Sequence, residues 1–329
     1  MPSFLYSQLF VTPALPALSF AEQTVIVTGS NIGLGLEAAR HVARLGATKV
    51  ILGVRNTTAG DAARQEIEDS TGRLPGTVEV WELDLLEYSS VVAFSERAQK
   101  LPRLDAVIEN AAIATQTFHK GDGGHEQTIT VNVISTLLLA ILLLPKLRES
   151  SRTHPTFRSP RLTIVVSEVH AWTKFPEWKS SRGIFAALSD KETARMGERY
   201  PTSKLVTILA VRELIARMTG DDGSVVVNMV NPGFCHSQLG RNATGIGQLR
   251  MRVLKAVLAR TTEVGSRTLV AAASAGKESH GQYMTDGVVD NDALSPFVRS
   301  SDGLTAQKRV WDELVDILEE IRPGVMDFL

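Results

Sequence analysis

Short apolar runs alternate along this chain with stretches whose apolar residues recur every three or four positions. Residues 24–27 (TVIV), 49–54 (KVILGV), 77–83, 105–109, 161–166 (RLTIVV) and 224–230 read as strands, and their near-continuous hydrophobicity suits strands covered on both faces. Residues 37–45, 59–70, 89–100, 125–147 and 200–218 carry the helical period between them. Such alternation predicts a parallel sheet with helices on both faces. Residues 281–284 read as a last strand. Residues 305–321, with Trp311, Leu314, Val315 and Leu318 on one face, read as an amphipathic helix that docks the C-terminus (304–322).

Two apolar stretches raise the question of a membrane. Residues 137–144, inside the helix at 125–147, are apolar all round, which predicts burial on every side, and the run is too short to span a bilayer. A partner subunit and the chain's own core both account for such a helix. Residues 1–20 are apolar, broken by Pro13 and Pro16, with no basic residue ahead of the hydrophobic part, so they do not read as a signal peptide. They read as a strap whose Phe4, Leu5, Leu9 and Phe10 pack on the body, with contact at a membrane surface as the open alternative.

Composition adds bounds. With 43% hydrophobic and 22% charged residues over 329 positions, the chain has room for a sizeable core, and no linker or repeat divides it, so a single domain over 1–329 is expected. A formal net charge of −1 leaves no basic footprint for nucleic acid. The only cysteine, Cys235, excludes an internal disulfide and a thiolate zinc cluster, and fits a reducing, cytoplasmic setting. No metal site is expected.

The first strand runs into a turn, Thr28, Gly29, Ser30, Asn31, Ile32, Gly33, Leu34, Gly35, and then into a helix. Gly29 suits a tight turn, Gly33 lets the backbone approach a bulky anion, and Gly35 lets the helix pack on the strand. The helix start offers free N–H groups to a pyrophosphate. At the end of the second strand stand Gly53, Val54, Arg55 and Asn56, with no acid to hold ribose hydroxyls. Arg55 can fork onto a ribose phosphate, which favours NADP(H) over NAD(H); a solvated surface arginine is the bland reading. Asn56 and Thr57 are neutral donors beside it. Asp84 and Leu85 follow the third strand, Asn110, Ala111 and Ala112 the fourth, where strand ends meet a ligand: Asp84 suits the adenine amine and the alanines a close backbone approach. A helix cap for Asp84 and a turn for Asn110 are the alternatives.

At this point the chain resembles the short-chain dehydrogenase/reductase superfamily. TGxxxGxG matches residues 28–35, ENAA at 109–112 matches the family's NAG-type motif with alanine in place of glycine, and YPTSK at 200–204 matches YxxxK. The stretches VTGSNIGLGLEAARH, SEVH and NPGFCHS narrow the resemblance to retinol-dehydrogenase-like members and relatives in fungal natural-product pathways. It covers roughly residues 20–290 and implies an α/β, Rossmann-type doubly wound sheet of about seven strands. It implies that Ser167 orients the reacting oxygen, Tyr200 is the acid/base, Lys204 tunes it and binds the nicotinamide ribose, and Asn132 holds a relay water and distorts its helix. It implies that Pro232, Gly233, Phe234 and Ser237 hold the nicotinamide amide, and that the 125–147 and 200–219 helices pair in a homodimer.

The residues themselves support this. Tyr200 and Lys204 stand four apart, so they share a helix face, and an ammonium beside a phenol favours the phenolate. No serine-hydrolase elbow surrounds Ser167. His170 reads as packed or solvent-facing rather than pocket-lining. The 33 residues from Ser167 to Tyr200 include an insertion, 171–199, whose Trp172, Phe175, Trp178 and Phe185 suit either a loop over an apolar pocket or an elaboration packed on the body. Residues 234–261 cap the substrate in the family's fold, and Arg250, Arg252, Lys255 and Arg260 there read as a solvated basic face. The expected function is an NADP(H)-dependent carbonyl/alcohol oxidoreductase acting on an apolar small molecule, such as a polyketide or terpenoid. A non-redox cyclase or isomerase on the same fold and an NADP(H)-sensing regulator are the rival classes.

Overall fold

The computed structural model describes residues 4–154, 158–218, 224–236 and 256–329. Its core is one eight-stranded sheet in the order β3-β2-β1-β4-β5-β6-β7-β8. The strands are β1 (Thr24–Thr28), β2 (Lys49–Val54), β3 (Val78–Glu82), β4 (Ala106–Glu109), β5 (Arg161–Val165), β6 (Val226–Asn231), β7 (Tyr283–Thr285) and β8 (Val288–Val289). All pair in parallel except β8, an exposed two-residue antiparallel addition beyond the expected seven. The chain works outward from β1 to β3, then returns to lay β4 on the other side of β1, Val25 beside Ala106. That reversal opens a crevice at the carboxyl ends of β1 and β4, where open α/β sheets bind ligands.

Strand alternation feeds two cores. Val25, Val27, Val50 and Leu52 pack on α2 (Gly33–Arg44), α3 (Thr57–Thr71) and α8 (Thr262–Ser274). Ile26, Ile51 and Val107 face the larger layer of α4 (Tyr88–Gln99), α5 (Gln127–Thr153), α7 (Arg199–Arg217) and α9 (Ser301–Ile321).

Helix α5 is long and apolar enough to cross a membrane by length and composition, but its most apolar stretch is 94% buried inside the protein. What covers it is the chain itself: α4, α7, the sheet and the final C-terminal turn. Helix α9 lies along α7, with Gln307 accepting from Arg212 Nε (3.0 Å) and donating to Glu213 (2.8 Å). The final turn packs on α5, where Arg148 donates to the carbonyls of Phe328 and Leu329. The apolar residues of α5 and α7, the helices at 125–147 and 200–219, are largely buried within the chain itself.

The N-terminal strap also departs from expectation. Leu5 (52%), Leu9 (50%) and Phe10 (73%) of helix α1 (Phe4–Phe10) are exposed; Phe4 lies edge-on to Trp172, and Phe10 meets Tyr6 of its own helix. Polar bonds hold the strap instead: Ser7 donates to Asp286 (2.7 Å), Arg260 to the carbonyls of Ser7 (2.8 Å) and Val11 (3.0 Å), and Arg267 to Pro13 (3.1 Å). Beyond this seven-residue helix the chain runs through prolines, and two arginines take the carbonyls of Val11 and Pro13 there. Arg260, expected on a solvated face, is buried against Asp286 at 2.6 Å. Arg250, Arg252 and Lys255 lie outside the described residues.

The insertion packs on the body. Phe175 and Phe185 are buried in the large core, Trp178 rests on Phe297, and Glu313 of α9 accepts the N–H groups of Ile184 (2.6 Å) and Phe185 (3.1 Å), capping α6 (Ile184–Leu188).

Candidate active site

The turn after β1 is locked by residues that follow β4. Thr28 Oγ1 accepts the N–H groups of Asn110 and Ala111, both at 3.0 Å, and Asn110 Nδ2 donates back to the Thr28 carbonyl at 2.9 Å. Gly29 holds φ +63°, and a Cβ there would stand 2.9 Å from Ala111 Cα; a Cβ on Gly35 would meet the Gly29 carbonyl at 2.5 Å. Gly33 differs: its φ of +66° looks into open space. Helix α2 starts beside that space without a side-chain cap from Ile32, so its first N–H groups are left for a ligand, and an anion such as a pyrophosphate fits. Ser30 is buried with its hydroxyl on the Val27 carbonyl (2.7 Å), which leaves Asn31 and Ile32 as the accessible residues of the turn.

Arg55 is exposed at the end of β2, and Asn56 beside it caps α3 by accepting the Ala59 N–H at 2.9 Å. Asp84 accepts the Leu86 N–H at 2.9 Å, forming a local turn, while Leu85 is buried and its carbonyl accepts from Ser135. Ala112 is half-buried on the same strand-end loop. Glu109, just before it, is fully buried with neither oxygen bonded, and burial holds its carboxyl well above the usual range.

The second cluster forms at the ends of β5 and β6. Ser167 begins a turn after β5, accepting the Val169 N–H at 3.4 Å, and its side chain lies beside the Tyr200 phenol on α7. Burial raises the Tyr200 phenol above its ordinary value, with Ser167 acting in the opposite direction. Lys204 Nζ lies 5.8 Å from the Tyr200 ring centroid and donates to the Val165 carbonyl at 2.7 Å. Burial lowers Lys204 itself to about 8.

Asn132 lies in a π-helical turn, Thr130–Ser135, within α5. Its side chain is fully engaged, accepting from Ile113 N–H and donating to the Ile113 carbonyl and Ser203 Oγ, each at 2.9 Å. Its backbone carbonyl accepts the Thr207 hydroxyl at 2.8 Å. Asn132 thus ties the loop after β4 to the helix of Tyr200. His170 packs, as the sequence suggested: Nδ1 donates to the Ser167 carbonyl (2.7 Å), Nε2 accepts the Ser295 N–H (3.0 Å), and burial lowers its pKa, so it is neutral.

Three residues went unremarked in the sequence. Asn231 Oδ1 accepts the N–H groups of Glu168 (3.2 Å) and Gly233 (3.1 Å), which joins the Ser167 turn to the Pro232-Gly233 turn; its place in NPG was the available signal. Glu168, next to Ser167, is pushed up to about 7, chiefly by burial. Gln8, from the distant strap, reaches Gly233. Gly233 takes φ +76°, and Phe234 accepts the Arg260 N–H; Ser237 lies outside the described residues.

Comparison with known proteins agrees with this geometry. A family profile described as short chain dehydrogenase matches residues 23–154. The chain is 47% identical to the short-chain dehydrogenase anuD of Penicillium roqueforti, over 98% of this chain and 84% of that one. It is 44% identical to the short chain dehydrogenase atnD of Emericella nidulans, over 86% and 90%. Among solved structures, an uncharacterized protein from Mycobacterium paratuberculosis superposes with a TM-score of 0.64 at 26% identity, covering 91% and 95%. A short chain dehydrogenase from Escherichia coli complexed with NADPH shares the fold with a TM-score of 0.57 at 23% identity, covering 82% and 99%. The chain therefore belongs to the short-chain dehydrogenase family of nicotinamide-dependent oxidoreductases.

Proposed function

We propose that this chain is an NADP(H)-dependent reductase of a ketone or aldehyde on an apolar small molecule in fungal secondary metabolism, of polyketide or terpenoid type. The observation that carries it is the meeting of Ser167, Tyr200 and Lys204 at the ends of β5 and β6, facing the glycine turn across the crevice. The nicotinamide, when bound, supplies hydride to the carbonyl carbon. Ser167 hydrogen-bonds the carbonyl oxygen and holds it at Tyr200. Tyr200, kept protonated by burial, donates its proton to that oxygen as negative charge develops there, and removes it in the reverse direction. Lys204 supplies positive charge beside the phenol and is the donor for the ribose hydroxyls. Asn132 holds the Tyr200 helix through Ser203 and Thr207, and the motif resemblance gives it the relay water.

Arg55 supports the phosphate-bearing cofactor, because it is an exposed guanidinium at the position where a carboxylate would hold a ribose diol. Thr28 to Gly35, Asp84, Leu85, Asn110 to Ala112 and Pro232 to Phe234 line the rest of the cofactor's path. The fungal relatives and the motif resemblance support the biosynthetic setting and a cytoplasmic location. The motif resemblance supports a homodimer paired through the helices at 125–147 and 200–219. Titration of the protein with NADPH and NADH, then a panel of ketones and aldehydes followed by nicotinamide absorbance, tests the reading. NADPH oxidation by a panel member supports it; absence of NADPH binding overturns it, and binding with turnover but no net oxidation points to non-redox chemistry.

A further inference from the structure

Tyr200 is the second residue of α7, and Glu198, which precedes that helix, gives it no side-chain cap. Helix ends fray, and an uncapped first turn stays in place only where other contacts hold it. The acid/base phenol therefore stands at the least secure end of its helix. Its neighbour Arg199 is buried, 1% exposed, so a cation sits at the positive end of the helix dipole and away from water. Such a group needs a counter-charge.

Glu126, 0% exposed, supplies it: Oε2 faces Arg199 Nε at 3.4 Å. Glu126 divides its carboxylate between two helix starts. Oε1 accepts the N–H and the hydroxyl of Thr128, both at 3.1 Å, and so caps α5, while Oε2 answers α7. The Glu126 N–H donates to Ser189 Oγ of the insertion at 3.2 Å. Glu177, also of the insertion, adds its charge to the same guanidinium, and its Oε2 is buried and unbonded. Arg199 thus joins the helix of Tyr200 to the helix of Asn132 and to residues 171–199.

Arg199 Nε and Nη2 and Glu126 Oε2 have no hydrogen-bond partner, so charge holds the pair, and removing one member strands a buried ion. Arg199 and Tyr200 project about 100° apart around the helix axis, and fixing the first fixes the direction of the second.

We propose that Glu126 and Arg199 are positioning residues for the reduction: their ion pair sets the rotation of the first turn of α7 and so holds the Tyr200 phenol at Ser167. Glu177 makes the insertion part of the same lock. This rests on the reductase reading above and deepens it. A reacting group displaced by about 1 Å loses about 10²-fold in rate, while the glycine turn at the other end of the crevice is untouched.

The double variant Arg199→Met, Glu126→Gln tests this, since it removes both charges, strands no ion and keeps an acceptor for Thr128. Arg199→Lys keeps the charge. The readouts are thermal melting, the NADPH dissociation constant from nicotinamide fluorescence, and kcat and KM for the best ketone in the panel. The expected result is a kcat lower by about tenfold or more in the double variant, with KM within about threefold and NADPH affinity within about twofold. Arg199→Lys should stay within about threefold of the wild-type kcat, because its ammonium still faces Glu126. A folded double variant with wild-type kcat overturns the inference and leaves the reductase reading standing. Arg199→Lys as slow as the double variant overturns it too, since charge is then not what places the phenol. Should the double variant fail to fold, Glu177→Gln decides: a kcat lower by about threefold at unchanged NADPH affinity supports the lock, and wild-type kcat overturns it. A wild-type protein that neither binds NADPH nor reduces any panel member overturns both readings.

Discussion

The two ends of the crevice are built by opposite means. Around the glycine turn, backbone does the work: close approaches among Gly29, Gly35 and Ala111, a Thr28–Asn110 clasp, and free N–H groups at the start of α2. Around Tyr200, side chains from far along the sequence do it: Asn132 bonds Ser203, His170 bonds Ser295, Glu313 caps the insertion, and Arg260 grips Ser7. A turn that binds a common pyrophosphate needs only a fixed backbone path, which a few glycines specify. The second end is held instead by contacts drawn from the strap, the insertion and α9.

That contrast predicts how each end fails. The largest effect belongs to Tyr200→Phe, which removes the proton donor: reduction should fall by about 10²–10⁴-fold while NADPH affinity stays within about twofold. Steady-state rates and fluorescence titration check it, and retained turnover would remove Tyr200 from the mechanism. Gly35→Ala inverts the pattern. A methyl 2.5 Å from the Gly29 carbonyl forces the turn apart, so NADPH binding should weaken by about 1–3 kcal/mol and melting should drop, with no residual site to rescue by more substrate.

Arg55→Asp should cost NADPH about 1.5–3 kcal/mol, the worth of a charge-assisted bond, and leave NADH nearly untouched. Equal losses for the two cofactors would dismiss the phosphate assignment. The pH response separates the ends as well. Lys204, lowered to about 8 by burial, is charged below that pH and neutral above it, so kcat/KM for reduction should decline as pH rises through about 8 while NADPH binding at Arg55 does not follow it. Its folded-state pKa lies below its unfolded one, so the cost of burying the ammonium is present below about 8 and is relieved as pH rises toward the ordinary lysine value. Glu168 has the opposite sign. Raised to about 7, it favours the folded protein at low pH, and that contribution is lost as pH rises from the ordinary carboxyl range through about 7. Melting curves of Glu168→Gln should flatten across that window. The smallest effect is expected for Glu313→Ala, which frees two N–H groups of the insertion: about 1–2 kcal/mol of stability, read by urea melts, with cofactor affinity unchanged.

Legibility in the sequence followed the same division. The strands, the glycine turn and the Tyr200–Lys204 pair were readable because each is encoded within a few residues, by period, by a missing side chain, or by helical spacing. The neutral, packed state of His170 was also inferable, since a histidine beside apolar neighbours more often fills a core than a pocket. Less was readable where partners are distant. Nothing near Leu5, Leu9 or Phe10 shows that Arg260 and Asp286 will hold their helix by its polar side and leave these three exposed. The depth to which Tyr200 is buried is likewise not contained in its spacing from Lys204.

By itself, the sequence determined the parallel α/β sheet, the crevice between β1 and β4, and the identity of the groups that meet there, because local patterns set local structure and right-handed crossovers leave few topologies. Tertiary structure alone decided who covers whom. The apolar helix α5 asks for a cover, and hydrophobicity carries no address: a membrane, a second subunit and the chain's own elements would all satisfy it. Helices α4 and α7 and the last turn answer that demand, and Arg148 fixes the last turn on α5 while Gln307 fixes α9 on α7. Packing is non-directional and needs such long-range polar contacts to choose one partner, and those contacts exist only once the chain has folded.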